Sequence, residues 1–541
     1  MAHLTDSDLH APVKPRRPRW VHIIAWVGIF AALFFTGLFI TFAIYFHHAE
    51  PILKQRVIRT LSTRYDSRVE LATFNVSVLE GFEVTGTGLK LYPNQLQMTQ
   101  PLISVDKFGF RTTWRDLLHL PMHIHLVRIH GLDIHVPSKQ QRGNIPSPNP
   151  GGSSSGGGIQ IIVDQLEIDR ASLVLDTIKP GKVPLTFQIS QIEMRALGAG
   201  HPMRFHATLI NPKPIGNIDS RGFFGPFNEH DPGSTPVNGT YKFTHADLNS
   251  IRGIGGMLSS VGRYEGTLNN INVDGETDTP NFSLDTADHP MPLHTKFHAI
   301  VDGTNGDTRL DPVNATLLHS RIIARGDVLS VPHQGHHITL DVTIPSGRLE
   351  DMLALAVKTE PPVMTGGITL HTKFDLPPGP DSVTQKLRLK GGFHISGARF
   401  TDPKTQDKID GLSLRGQGEP EKAKQDSEHT INANIASDLR GNFVLSDSRL
   451  AINGLHFIVP GANISLNGVY TLDGNQIDFH GTARLKARLS QMVTGWKSLL
   501  LKPVDPFFSK DGAGTEVPIS ITGTRNDVHF GLDYFHSSDK K

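Results

Sequence analysis

The chain has no cysteine, so it forms no disulfide and offers no thiolate to a metal. It also lacks a charge imbalance: 53 Lys and Arg stand against 52 Asp and Glu, a formal net charge of +1. That balance provides no basic field to hold a phosphate backbone, and no nucleic-acid partner is expected. Catalytic signatures are missing as well. No helical H-E-x-x-H arrangement occurs among the 28 histidines, and no Gly-rich loop ends in Gly-Lys-Ser/Thr. Beyond residue 46 there is no second uncharged apolar run long enough to span a bilayer. One membrane crossing at most is expected, followed by a large water-facing body.

That single run is Val21 to Phe46, which contains no Asp, Glu, Lys or Arg. About 20 apolar residues suffice for a membrane-spanning helix, and Trp20, Trp26 and Tyr45 stand where interfacial rings anchor. Lys14, Arg16, Arg17 and Arg19 ahead of it favour a cytoplasmic amino terminus, against Lys54, Arg56 and Arg59 behind it. A cleaved signal peptide has a shorter apolar core ending in small residues, and HHAEP after Phe46 has no such site.

After the run, Ile52, Val57, Ile58 and Leu61 fall at helical spacing, which predicts a short helix over Ile52 to Tyr65. From Arg68 onward the period becomes two, with Gly81, Gly86 and Gly88 as punctuation. The alternation is clearest where Met122, Ile124 and Leu126 flank His123 and His125, followed by Ile129, Leu132, Ile134 and Val136. One face is apolar and the other wet. Residues 143–158, GNIPSPNPGGSSSGGG, are too poor in apolar groups to order themselves and read as a flexible loop.

Beyond the loop, LEIDRASLVL lays over VRIHGLDIHV, matching Val127 to Leu166, Ile129 to Ile168, Ile134 to Leu173 and Val136 to Leu175. Such repeated strand units stack, since each alone leaves its apolar face uncovered. Asp302-Gly303, Asn305-Gly306 and Asp473-Gly474 supply hairpin turns. Besides the helix after the apolar run, only Leu349 to Val357 and Leu485 to Leu501 look helical. A long sheet with so few helices must pack on itself or bind something apolar.

Local motifs add no chemistry. GSSSG (Gly152 to Gly156) sits in the Gly/Ser loop, where a nucleophile elbow has no strand-to-helix turn. His123, His125, His130 and His135 are two-residue-spaced metal candidates, but a solvated strand face explains them better. GIGGM (Gly253 to Met257) lacks the dinucleotide spacing and reads as a turn. The sequons at Asn75, Asn238, Asn314 and Asn463 read as incidental. Leu485 to Leu501, with Trp496 beside Lys486, Arg488, Lys497 and Lys502, reads first as a helix capping the sheet.

Two long segments, Pro101 to Val136 and Val504 to Asp533, with His245 to Leu268, Phe297 to Leu310 and Ile344 to Leu370 between them, carry a family likeness. On these the chain resembles the AsmA-like family of bacterial envelope proteins. The resemblance implies a single inner-membrane helix with its amino terminus cytoplasmic, and a long periplasmic β-rich body. It implies further a taco-like β-groove, akin to chorein-type bridge-like lipid transfer proteins, that shields acyl chains between two membranes. It carries no catalytic motif, cofactor or metal.

The expected organisation is therefore a cytoplasmic tail at 1–20, the membrane helix at 21–46, an amino-terminal β region at 47–142, the loop at 143–158 and a repeat β-groove at 159–541. Ile124, Leu126, Ile129, Ile134, Val136, Ile168, Leu173 and Leu175 are the residues expected to face lipid. About 30 strands at roughly 4.8 Å would give a groove on the order of 150 Å. A phospholipid conduit, aided by an outer-membrane or periplasmic protein partner, is the first expectation. The alternative is a scaffold that pairs its strand edges with outer-membrane clients.

Overall fold

A computed structural model of the chain describes residues 50–77, 81–94, 100–113, 115–116, 122–136, 161–175, 184–198, 201–226, 228, 231–285, 287, 289–331, 334–358, 360–429, 432–493, 514–524 and 527–532. The apolar run at 21–46, with Trp20, Trp26 and Tyr45, and the loop at 143–158 lie outside the described residues. Among the described residues no helix is long and apolar enough to cross a membrane.

The chain enters on helix α1 (Glu50–Tyr65), with Pro51 in its first turn, where a missing N–H costs nothing. Asp66, at φ 42°, ends it in the left-handed conformation. The strands then follow in order: β1 (Ser67–Glu70), β2 (Thr73–Ser77), β3 (Phe82–Pro93), β4 (Ile103–Thr112), β5 (Met122–Val136), β6 (Ile161–Leu175), β7 (Leu185–Leu197), β8 (Met203–Pro212) and β9 (Ile215–Phe224). The middle of the chain gives β10 (Pro236–Asp247), β11 (Ile254–Gly255), β12 (Met257–Thr267), β13 (Asn270–Leu284), β14 (Met291–Val301), β15 (Thr308–Leu317), β16 (Ser320–Val331) and β17 (Gly335–Arg348).

Helix α2 (Leu349–Ala356) leads to β18 (Met364–Leu376), the single turn α3 (Val383–Lys386) to β19 (Arg388–Phe400), and the pair α4 (Pro403–Gly416) and α5 (Pro420–Ser427) to β20 (Ser437–Ser446). The last strands are β21 (Arg449–Val459), β22 (Ala462–Thr471), β23 (Ile477–Leu485), β24 (Thr515–Thr524) and β25 (Asp527–Leu532). All belong to one 25-stranded sheet. Because β1 and β2 both lie along β3, and β11 and β12 both along β13, the sheet at about 4.8 Å between neighbours is roughly 105 Å long, shorter than the sequence-based expectation.

Neighbouring strands are antiparallel except β5 and β6, which are parallel. Their register pairs Val127 with Leu166, Ile129 with Ile168, Ile134 with Leu173 and Val136 with Leu175, the same four matches that mark the internal repeat. The repeat therefore records two strands that lie side by side in phase. Gly131 (φ 68°) and Arg170 (φ 51°) form left-handed kinks at the same level, and the register steps from His130–Asp169 to Leu132–Ala171. Parallel strands need a long return connection. β5 runs about 50 Å, and residues 137–160 have a reach of up to about 80 Å. The Gly/Ser-rich segment thus joins two adjacent strands of one sheet.

The first six strands enclose a hydrophobic core. One cluster takes in Val57 and Leu61 of α1 and, from the sheet, Phe82, Val84, Phe110, Ile124, Val127 and Leu166 among others. The Phe82 and Phe110 rings stand 6.1 Å apart within it. Two smaller clusters lie further along, one where α2 meets β18 and β19, the other where α4 meets β21 to β23.

The expected helices at Ile52 to Tyr65 and Leu349 to Val357 are α1 and α2. Leu485 to Leu501 differs: Leu485 ends β23, only Leu489–Met492 forms a 3-10 turn, and 494–500 lie outside the described residues. Helices α3, α4 and α5 were invisible to apolar periodicity. The reason is plain in α4, whose buried side is Gln406, Asp410, Ser413, Leu414 and Gly416. Gln406 donates to Asp410 at 2.7 Å and to the Ile435 carbonyl at 2.9 Å, while Ile435 N–H donates to Asp410 at 2.8 Å. Its usable signal is at the cap, where Asp402 accepts from Thr405 N–H at 3.0 Å ahead of Pro403.

Candidate functional site

Residues paired across neighbouring strands point to the same face of a sheet, so the register can be followed strand by strand. One row, with a residue from each strand of β2 to β25 except the two-residue β11, begins Val76, Val84, Phe110, Val127, Leu166, Met194, Phe205, Gly222, Gly239, Tyr264, Val273. It continues Ala299, Leu310, Gly326, Leu340, Phe374, Leu389, Leu445, Leu450, Tyr470, Ile477, Gly523, Val528.

The adjacent row on the same face begins Phe74, Gly86, Phe108, Ile129, Ile168, Ile192, Ala207, Ser220, Tyr241, Gly262, Gly275. It continues Phe297, Val313, Ala324, Val342, Thr372, Gly391, Phe443, Ile452, Gly468, Phe479, Ile521, Phe530. Neither row contains a charged residue. A β-bulge, the shift between Leu310 and Val313, keeps the rows in phase where strict alternation would lose them.

Several glycines in these rows are covered by rings. A Cβ on Gly275 would stand 2.6 Å from Phe297 Cζ, and one on Gly468 would stand 2.5 Å from Phe479 Cδ1. Each of these rings therefore fills the space that a side chain on its cross-strand glycine would need.

The floor is closed at one end and open beyond it. Val84, Val127 and Phe110 are at most 1% exposed. From β7 onward the described side chains in both rows are half-buried, apart from the buried Ala299, Thr372 and Leu445 and the exposed Val528. The helices α2 and α4 attach at the strand ends, to β17 and β18 and to β19 and β22, and among the described residues no helix packs on these central rows.

Of the residues the sequence singled out, Ile124, Ile129, Ile134 and Ile168 are on the apolar face but lie in the closed core, Ile124 at 0% exposure. Leu173 is half-buried against the same core. Val136 and Leu175 are the paired last residues of β5 and β6. Leu126 is a correction. The register skips from Ile124–Val163 to Leu126–Gln165, which turns Leu126 to the outer face opposite Arg111 and in line with Arg128. A two-residue period cannot reveal such a slip. What the sequence reading missed are the floor residues such as Phe297, Leu340, Phe374 and Leu389; their period was readable, but not that they stay half-buried.

The outer face is a lattice of cross-strand polar pairs. His130 meets Asp169 at 2.6 Å, His294 meets Asp278 at 2.7 Å, His298 meets Asp274 at 2.9 Å and His337 meets Asp375 at 2.6 Å. His125 lies between two carboxylates, with Nδ1 2.9 Å from Asp164 and Nε2 2.9 Å from Asp116. The hydrogen bond to Asp164 is the main cause that raises the His125 pKa. Asp116 titrates below the usual carboxylate range, first because Thr113 donates to it and then because of His125. Among the described residues no three His, Asp or Glu gather as a metal site. Gly253 and Gly256, at φ 95° and 121°, form the turns around β11, in keeping with a structural role for GIGGM.

The arrangement thus has one continuous chemical feature, an uncharged floor that runs across the sheet and that, among the described residues, is only half-buried over most of its length. No protein-family model, curated protein or solved structure matches the chain.

Proposed function

We propose that this protein carries phospholipid acyl chains along the apolar floor, between an inner and an outer membrane, as its resemblance to the AsmA-like family implies. The observation that supports the reading is the pair of rows that carries no charge from β2 to β25 and is half-buried over most of its length from β7 onward. An apolar surface of that extent in water calls for an apolar occupant. Each methylene buried on it is worth about 0.8 kcal/mol, so ten methylenes contribute on the order of 8 kcal/mol. No energy source is needed for retention. The run at 21–46 places the closed end against the inner membrane in this reading, and lipid enters sideways, past the core of β1 to β6.

Photo-crosslinkers separate the two faces. Probes at Phe297, Leu340 and Phe374 are expected to capture phospholipid, and probes at the outward neighbours Lys296, Asp341 and Lys373 are expected not to. Equal capture from both sets removes the groove. Capture of protein with no co-purified phospholipid would favour the scaffold reading, in which the edge of the sheet at β25 pairs with a client strand.

A further inference from the structure

The floor changes character between β9 and β14. Ser220, Tyr241 and Tyr264 interrupt the two rows there, and in the next row of the same face Ser260, Thr277 and Thr295 stand in register on three successive strands. From β15 to β25 the two rows carry only two hydroxyls, on Thr372 and Tyr470. The hydroxyls are thus concentrated in one stretch of floor.

Glycines let the tyrosines lie down in that stretch. A Cβ on Gly239 would stand 2.7 Å from the Tyr264 hydroxyl, one on Gly262 2.7 Å from Tyr241 Cε1, and one on Gly275 2.6 Å from the Tyr241 hydroxyl. Both rings cross a neighbouring strand at floor level and end on a serine. Tyr264 reaches Ser220 at 2.7 Å, and Tyr241 reaches Ser260 at 3.0 Å.

The direction of these bonds follows from counting protons. Ser220 donates to the Thr240 carbonyl at 3.1 Å, and Ser260 donates to the Glu276 carbonyl at 3.1 Å. A hydroxyl has one proton, so each serine accepts from its tyrosine. Burial pushes both phenol pKa values up, which keeps the rings neutral. Both tyrosine protons are then engaged, and what the two phenols offer to the trough is oxygen lone pairs. An unbranched hydrocarbon chain gains nothing from an acceptor, and an ester brings only acceptors of its own. A chain that carries a hydroxyl or an amide N–H supplies the missing donor.

We infer that the β9–β14 stretch of the floor is a recognition site for acyl chains bearing a hydrogen-bond donor, held by the Tyr241 and Tyr264 oxygens. The inference rests on the reading of the floor as an acyl-chain groove and adds a preference among chains. The test is displacement of a fluorescent fatty acid from the full chain by stearate and by 12-hydroxystearate, in the wild type and in Tyr241→Phe/Tyr264→Phe. The wild type is expected to favour the hydroxylated acid about fivefold, one hydrogen bond's net worth. The double variant is expected to lose that preference, the affinity ratio of the two acids falling to about one.

Equal affinity of the wild type for both acids overturns the inference and leaves the groove standing. A double variant that weakens both acids alike, or that keeps the preference, also overturns it, since the tyrosines then serve only as wall. If neither the probe nor either acid binds, the groove reading itself fails, and this inference with it. Unchanged circular dichroism of the variant guards against misfolding as the cause.

Discussion

Phe110 and Phe374 occupy the same row of the same face, yet Phe110 is 1% exposed and Phe374 is half-buried. The strands around Phe110 share their apolar face with α1, whose Val57 and Leu61 are each 1% exposed, and with one another. Among the described residues the strands around Phe374 have helices only at their ends, where α2 packs Leu349 against Ile368 and Ile395. Apolar patterning therefore fixes which face a residue takes. Whether that face becomes core or trough depends on a covering element elsewhere in the chain.

The sharpest way to break this comparison is to truncate the same residue type in both regions. Phe110→Ala should cost about 3–5 kcal/mol, because a filled core leaves a cavity. Phe374→Ala should cost less, about 2 kcal/mol, since part of its surface is already in water. Urea unfolding of the full chain, followed region by region with hydrogen exchange, measures both. Equal costs would mean that the floor beyond β7 is covered too.

A charge on the open floor probes the other half of the contrast. Leu340→Asp should shift stability by only about 1 kcal/mol, because the carboxylate can reach water. It should nevertheless lower the phospholipid that co-purifies at least roughly threefold, since a charge beside hydrocarbon is costly. Lys373→Asp, on the outer face, should change neither quantity. Retention that ignores Leu340→Asp would show that acyl chains do not lie on these rows.

The sequence announced some of this directly. The alternation of β3 to β6, the paired phases of β5 and β6 and the helices α1 and α2 all rest on apolar spacing that survives without tertiary context. Leu126 shows where such reading stops, for the slip at His125 and Asp164 moves it to the wet face with no change in composition. The helix α4 shows another limit, because its buried contacts are made by Gln406, Asp410 and Ser413. The floor beyond β7 was readable as an apolar face. Its openness was not, because exposure belongs to the missing neighbour and leaves no mark on the residue itself.

The outer face is common to both regions, and its effects should be the smallest. His125 is the place to measure them. Around it stand Asp164 on β6, Asp116 in the turn before β5, and His123 two residues away, itself 3.4 Å from Asp164. Its folded pKa lies above the ordinary value near 6.5. The fold therefore favours the imidazolium, and the stabilisation is complete below about pH 6.5 and lost as pH rises through the folded pKa. The imidazole side chain is 46% exposed, so screening by water keeps the contribution below about 1 kcal/mol. Asp164→Asn removes the main cause of the shift and leaves Asp116 in place. An NMR titration of His125 should then move down towards 6.5, with a smaller loss of stability between pH 5 and pH 8. A midpoint that stays where it was would assign the raised pKa to Asp116, and with it to the turn before β5 in place of the β5–β6 ladder.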